Sequence, residues 1–225
     1  KILLAATALA TLGACASGAN PAPTASAEMD ASLAAVVAGV WRTPDNAARD
    51  QYRKPAAALS FWGLKPGMTV LELQPGGGYW TEILAPYAQR TGGKFYVTGP
   101  DLSNPELPEA ARKSRAAFEA RYGAKPDLYG KIDVVNWGAK SAPLPKDTFD
   151  FILTARSVHG WMGQPGMAEK TFKEFYDALK PGGILALELE RGHAGRAQVF
   201  VHHARLGVAD DIQRAGHRVG RDRQA

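Results

Sequence analysis

Cysteine is almost absent from this chain, which has a single one, Cys15, in 225 residues. One cysteine excludes an internal disulfide, so the fold must rest on an ordinary hydrophobic core. The excess of positive over negative charge is also small, with 27 Lys and Arg against 22 Asp and Glu. The body of the chain has no extended basic stripe. We therefore do not expect a nucleic-acid partner. A hydrophobic fraction of 45% is enough for one sizeable globular core.

An apolar run rich in Leu and Ala, Ile2 to Leu12, is too short to span a bilayer and has the length of a signal-peptide core. The next residues, Leu12-Gly13-Ala14-Cys15, resemble the cleavage box of bacterial lipoproteins, in which the cysteine becomes lipidated. An ordinary secretory signal is the alternative. We expect residues 1–15 to be a signal peptide and 16–30, rich in Ala, Ser, Pro and Thr, a flexible tether. The protein is then exported to the periplasm or outer membrane and contacts the membrane only through a lipid on Cys15.

Strand patterns alternate with helix patterns through the body of the chain, residues 31–190. Compact apolar runs predict strands at 69–73, 94–98, 132–137, 149–154 and 184–189. Helical spacing and capping residues predict helices at 31–40, 44–52, 55–62, 79–89, 105–122 and 170–179. Such alternation predicts an α/β fold with a mostly parallel sheet covered on both faces. Ligands of these sheets bind at the carboxyl ends of the strands.

A glycine loop, Gly76-Gly77-Gly78, separates the first predicted strand from a helix. Glycines let the backbone turn tightly and approach a ligand, and the helix that follows presents unpaired N–H groups. Glu72, inside the strand, points to a ligand with a positive amino group or hydroxyls. The Gly-x-Gly-x-x-Gly spacing of nicotinamide-dependent oxidoreductases is absent, because Thr81 stands where the last glycine would be.

Three ordered segments resemble the motifs of class I S-adenosylmethionine-dependent methyltransferases: Val70 to Gly78, Phe149 to Leu153, and Leu179 to Gly183. Two further segments, Pro75 to Tyr87 and Arg156 to Met162, are similar to a family of exported bacterial methyltransferases. The resemblance implies a Rossmann-like, doubly wound sheet of the class I methyltransferase type. It also implies S-adenosylmethionine as cofactor and a small-molecule acceptor.

The resemblance also implies which residues bind the cofactor. Glu72 would lie near the methionine amino group, and Gly76 and Gly78 would let the loop wrap the cofactor. Three positions depart from the family pattern. The first loop glycine is Gln74, the acid for the ribose would fall at Gly99 with Asp101 as its substitute, and the acid for adenine would fall near Gly138 with Asn136 as a weaker partner. The implied cofactor-binding set is Glu72, Gln74, Gly76, Gly77, Gly78, Tyr79, Asp101 and Asn136.

His159 follows the fourth predicted strand, where this fold meets its substrate. Its imidazole is a candidate general base for an acceptor hydroxyl, and a structural hydrogen-bonded histidine is the alternative. Arg156 either holds an anionic substrate or pairs with Glu72 or Asp150, while Trp161 and Met162 are expected to line the pocket. The Asn/Asp-Pro-Pro-aromatic motif of many amino-group methyltransferases is absent here, which argues against methylation of nucleic-acid bases. No metal site is expected.

The last segment, 191–225, is unlike the body: it has seven of the fifteen arginines and none of the twelve lysines. We expect this Arg- and His-rich tail to leave the sheet incomplete at its C-terminal end, through truncation or a frame shift. A short genuine ending, with a helix at 209–215 and a strand at 217–219, is the alternative. Two functions stay open for the whole chain. One is S-adenosylmethionine-dependent methyl transfer to a small molecule, and the other is a catalytically inactive, methyltransferase-like binding lipoprotein of the cell envelope.

Overall fold

A six-stranded sheet forms the centre of the protein in the computed structural model, which describes residues 30–189 and the backbone of 198–203. The strands are β1 (Thr69–Leu73), β2 (Lys94–Pro100), β3 (Ile132–Trp137), β4 (Phe149–Ala155), β5 (Leu179–Leu189) and β6 (Gln198–His203). Their spatial order is β3-β2-β1-β4-β5-β6. The first five strands are parallel and β6 is antiparallel to β5. This topology confirms the expected doubly wound, mostly parallel sheet.

Nine helices lie in the described residues, four of them before the first strand. These four are α1 (Ala31–Val37), α2 (Pro44–Ala47), α3 (Asp50–Arg53) and α4 (Pro55–Trp62). The remaining five are α5 (Thr81–Thr91), α6 (Glu109–Gly123), α7 (Pro126–Tyr129), α8 (Val158–Met162) and α9 (Met167–Ala178). None of the described helices is long and apolar enough to cross a membrane.

The core has one layer on each face of the sheet. On one face, α1, α4 and α5 pack against alternate side chains of the strands, including Val70, Phe95 and Phe151. On the other face, α8 and α9 cover the intervening positions, such as Leu71 and Ile152. Side chains of one strand alternate between faces, so each parallel strand needs apolar residues on both. This requirement explains the short, continuously apolar strand patterns in the sequence.

Several boundaries differ from the prediction for identifiable reasons. Helix α6 begins at Glu109 and not at 105, because Pro108 is extended (φ −55°, ψ 141°) and a proline also disfavours helical geometry in the residue before it. Strand β5 begins five residues earlier than expected, through a register shift opposite Phe149 and Phe151. The short helices α7 and α8 were not predicted. Strand β6 lies in the segment expected to be an atypical tail, where its backbone extends the sheet.

The predicted signal peptide, Cys15 and residues 16–29 of the predicted tether lie outside the described residues, as do 190–197 and 204–225. The domain boundaries at 15, 30 and 190, and the alternative helix and strand at 209–219, therefore stay predictions.

Candidate functional site

The glycine loop, which in the structure includes Gln74 and Pro75 before the three glycines, begins where β1 ends and has three residues in a left-handed conformation. The φ angles of Gln74, Gly76 and Gly78 are +52°, +54° and +80°. Glycine adopts this region without steric cost, whereas a residue with a Cβ is strained there. Gln74, at the position where the resemblance implies a glycine, is therefore strained. Two hydrogen bonds hold it: its N–H donates to Thr98 Oγ1 at 2.9 Å, and its Oε1 accepts from Trp161 Nε1 at 3.1 Å.

A cavity of about 800 Å³ lies over this loop, at the carboxyl ends of β1, β2 and β3. Its volume is in the range of small-molecule and cofactor sites, and its place is where doubly wound sheets bind their ligands. The lining residues come from the loop, the end of β2 and the segment after it, helix α6, the end of β3 and the α8–α9 region. Those that matter below are Gln74, Gly76, Thr98, Asp101, Arg115, Phe118, Arg121, Tyr122, Trp137, Gly138, Trp161 and Met167.

Helix α6 lines this cavity and is tied to the strand ends by Arg115. The guanidinium donates to the carbonyl oxygens of Pro100 at 2.9 Å and Val134 at 3.3 Å, and to the side-chain oxygen of Asn136. Arg115 can pass close to residue 99 because that residue is a glycine. A Cβ there would lie 2.8 Å from Val134 Cγ1 and 3.2 Å from Arg115 Cδ. This close packing explains why the expected acid is absent at Gly99.

The expected substitute for that acid, Asp101, is buried and lines the cavity. Its Oδ1 accepts hydrogen bonds from Ser103 N at 3.0 Å and Ser103 Oγ at 2.6 Å, which fix the carboxylate. The other expected partner, Asn136, does not line the cavity, and its side-chain oxygen is bound to Arg115. Of these two candidates, Asp101 alone is placed to meet a ligand in the cavity.

Glu72 lies beneath the loop, on the face that packs against α5. It is 3% exposed, and its Oε2 accepts a hydrogen bond from Thr81 Oγ1 at 2.6 Å. Burial raises the pKa of this carboxyl to about 8, although the Thr81 hydrogen bond and the charge of Arg53 act in the opposite direction. Glu72 is therefore mainly protonated at neutral pH in the ligand-free protein.

Three arginines from the N-terminal helical segment, one in α3 and two in the turns between helices, surround Tyr79. The guanidinium carbons of Arg42, Arg49 and Arg53 lie 5.4, 5.1 and 4.5 Å from its ring centroid. Its hydroxyl donates to Asp50 Oδ1 at 2.8 Å, and Asp50 also pairs with Arg42. Tyr79 is not among the residues lining the cavity, so these contacts show a role in fixing the N-terminal helices against the loop.

A second buried carboxylate, Glu82, ties α5 to its neighbours. It is fully buried and accepts from Thr43 N at 3.1 Å and from Arg121 Nη2 at 2.5 Å. Arg121 is on α6, so this ion pair joins the cavity-lining helix to the helix that follows the glycine loop. The sequence alone did not single out Glu82 or Arg121.

Of the residues after β4, Trp161 lines the cavity as expected, whereas Met162 is 56% exposed and does not. His159 is exposed on α8 and Arg156 is exposed just after β4, and neither is among the cavity-lining residues. Asp150, one expected partner of Arg156, binds Lys180 Nζ at 2.8 Å. No group of His, Cys, Asp and Glu within the described residues could hold a metal ion.

Helix α6 was missed as a source of site residues. Its cavity-lining residues include Arg115, Phe118 and Tyr122, which recur three to four positions apart, the spacing of one helix face, with Arg121 beside Tyr122. That pattern was visible in the sequence. Without the helix's position it could not be told from an ordinary core-facing stripe.

A family model described as a methyltransferase domain matches residues 71–187, which is more than half of the chain. The chain belongs to this methyltransferase family. The matched region contains β2, β3 and β4 in full, all but the first two residues of β1 and all but the last two residues of β5. It also includes the glycine loop and the whole of α6. The methyl donor of the family is S-adenosylmethionine.

Two curated relatives show the extent of the likeness. A ubiquinone/menaquinone biosynthesis C-methyltransferase, UbiE, from Pseudoalteromonas translucida is 28% identical over 130 residues, covering 57% of this chain and 45% of the relative. A demethylmenaquinone methyltransferase from Lysinibacillus sphaericus is 26% identical over 169 residues, covering 67% of this chain and 63% of the relative. The chain thus spans about half to two thirds of the length of these relatives.

Among solved structures, a SAM-dependent methyltransferase from Aquifex aeolicus is similar at 25% identity and a TM-score of 0.47, over 66% of this chain and 72% of that one.

Proposed function

We propose that this protein transfers a methyl group from S-adenosylmethionine to a small-molecule acceptor. The observation that carries the proposal is the cavity of about 800 Å³ over the glycine loop, in a chain of the methyltransferase family. The cofactor supplies an electrophilic methyl group on a sulfonium sulfur. Methyl transfer depends mainly on holding the two reactants in line, so a cavity large enough to hold both is the feature that the chemistry requires.

The residues present fit this cofactor. Gly76 exposes backbone to the cavity in a left-handed conformation that a side chain would strain, and a Cβ there would have free space around it. Asp101 offers a buried carboxylate suited to ribose hydroxyls, and Trp137 and Gly138 offer an apolar wall for a planar base. Glu72 is buried below the loop and is not part of the cavity wall, and a positive amino group close to it would stabilise its ionised form.

The acceptor side of the proposal involves His159 and Arg156. Both follow β4, on the carboxyl side of the sheet. His159 would accept the proton released by an acceptor hydroxyl, and Arg156 would attract an anionic group. The two curated relatives are named for quinone methylation, which makes an aromatic small molecule a reasonable first acceptor to assay.

Calorimetric titration of S-adenosylmethionine and S-adenosylhomocysteine into the purified protein tests the proposal. Gly76→Arg places a long side chain in the cavity and should abolish binding. Gly92→Arg is its matched control, because Gly92 also has a left-handed φ (+74°) and free space but caps α5 away from the cavity. Micromolar binding that is lost only in Gly76→Arg supports the proposal. Absence of binding by folded wild-type protein contradicts it and favours the binding-lipoprotein alternative.

We also propose that the protein is exported to the periplasm or outer membrane and is anchored there by a lipid on Cys15. The support is the lipoprotein-like box before Cys15 and the uncharged 16–27 segment after it. Radiolabelled palmitate should enter the full-length wild-type chain in bacteria, whereas Cys15→Ala should remain unlabelled. Equal labelling of the two chains, or an unlabelled wild type, would contradict the lipid anchor.

A further inference from the structure

Tyr122 is a cavity-lining residue of α6 whose ring is held from several sides. Phe118 packs against it at 4.6 Å between ring centroids, and Tyr129 contacts it edge-on at 4.9 Å. The Arg121 guanidinium lies 5.0 Å from the centroid of the same ring. With these neighbours the ring cannot swing freely, so the position of its hydroxyl is set by the packing.

The hydroxyl of Tyr122 is buried and has no hydrogen-bond partner in the described part of the chain. The residue is 2% exposed, and burial raises the pKa of the phenol well above its usual value, so the hydroxyl stays protonated at neutral pH. Buried hydroxyls are nearly always paired, because an unpaired one loses its hydrogen bonds to water. The unpaired hydroxyl of Tyr122, a residue that lines the cavity, therefore points to a hydrogen-bond partner on a bound ligand.

The hydroxyl also lies directly against the glycine loop. A Cβ built on Gly78 would come within 1.8 Å of the hydroxyl oxygen, so the oxygen occupies the space that a side chain at position 78 would need. Gly78 belongs to the loop whose other residues, Gln74 and Gly76, line the same cavity. Glu72 lies close enough to Tyr122 to influence it electrostatically. The unpaired hydroxyl thus lies against the glycine loop, within electrostatic reach of the buried Glu72 carboxyl.

We propose that Tyr122 is a cofactor-binding residue whose hydroxyl hydrogen-bonds the amino-acid end of S-adenosylmethionine. The chemistry suits both groups at that end, since a phenol donates to a carboxylate and accepts from an ammonium. This inference rests on the proposed function. It goes further by assigning a residue of α6, outside the glycine loop, to one end of the cofactor.

The test compares Tyr122→Phe with Tyr129→Phe by calorimetry, using S-adenosylhomocysteine and 5′-methylthioadenosine as probes. The second probe keeps the adenosine and the sulfur and lacks the amino-acid end. Tyr122→Phe should weaken S-adenosylhomocysteine binding about 3- to 10-fold, the loss of one hydrogen bond, and leave methylthioadenosine binding within twofold of wild type. Tyr129→Phe removes the hydroxyl of the adjacent ring, which does not line this cavity, and should change neither affinity.

Urea unfolding of the ligand-free proteins gives a second readout. Tyr122→Phe keeps the ring and removes an unpaired hydroxyl, so its unfolding midpoint should equal or exceed that of wild type. Unchanged S-adenosylhomocysteine affinity in Tyr122→Phe would overturn the inference while leaving the proposed function intact. An equal loss for both probes would also overturn it, because the hydroxyl would not then act on the amino-acid end. A folded wild type that binds neither probe would overturn the proposed function, and the inference with it.

Discussion

Replacing Glu72 by glutamine should remove a large part of the pH dependence of stability. The pKa of this carboxyl is about 8 in the folded protein, against an ordinary value of 4.5. Between these two pH values the folded state binds a proton that the unfolded state has lost. Stability must therefore fall as pH rises through this window, with the full penalty present only above pH 8. Glutamine has the shape of the protonated form and can still accept the hydrogen bond from Thr81.

The size of the effect follows from the shift. One pKa unit corresponds to about 1.4 kcal/mol. The unfolding free energy should therefore fall by up to about 5 kcal/mol as the pH rises across the whole window. Between pH 5.5 and 7.5 the Glu72 contribution should change by about 3 kcal/mol. This amount is large against the total stability of a domain of this kind, which is about 5–15 kcal/mol. A change of that size is easily measured.

Urea unfolding at pH 5.5, 6.5, 7.5 and 8.5 is the assay, with wild type, Glu72→Gln and Glu169→Gln as samples. Glu169 is an exposed glutamate at the start of α9 and serves as the control. The difference in unfolding free energy, Glu72→Gln minus wild type, should increase from pH 5.5 to 8.5. Glu169→Gln should stay parallel to wild type. Parallel curves for wild type and Glu72→Gln would refute the assignment of a buried, protonated carboxyl at position 72.

Three further substitutions test the packing around the cavity. Gly78→Ala should cost about 3 kcal/mol of unfolding free energy because it meets the Tyr122 hydroxyl in a left-handed conformation. Adding Tyr122→Phe should recover part of that cost, whereas Gly77→Ala, with open space around it, should change the urea midpoint little. Gln74→Gly should be about 1 kcal/mol more stable than Gln74→Ala, since both lose the Trp161 hydrogen bond and only alanine keeps the backbone strain; equal midpoints would contradict the strained geometry. Arg121→Gln should lower the unfolding free energy by about 2 kcal/mol by leaving the buried Glu82 carboxylate short of a partner. Lys113→Gln, in an exposed pair with Glu109, should lower it by less than about 0.5 kcal/mol, and similar losses in both would contradict the stabilising role of the Arg121–Glu82 pair, in which Glu82 is buried and Arg121 is 43% exposed.

The sheet could be predicted because its information is local. Strands β1 and β3 carry compact apolar runs bounded by turn residues, and their predicted bounds agree with the structure. Helix α5 follows the glycine loop with Ile83, Leu84 and Tyr87 at helical spacing, and all three are buried. Repeating patterns of this kind depend only on neighbours along the chain.

The site was only partly predictable, because its contacts join residues far apart in sequence. The hydrogen bond from Trp161 to Gln74 spans 87 positions, and that from Arg121 to Glu82 spans 39. Glycine positions and the acid at 72 followed from the resemblance. The path of α6 past the strand ends, which brings Arg115 and Tyr122 to the cavity, depends on tertiary packing that no local pattern encodes.

A crystal structure of the protein with S-adenosylhomocysteine bound would test the central claim most directly. We predict that the ligand lies over the glycine loop, with its ribose within hydrogen-bond distance of the Asp101 carboxylate and its amino-acid end beside Gly76 and Gly78. Density for the ligand elsewhere, or a structure from saturating ligand in which this cavity contains only solvent, would contradict the account.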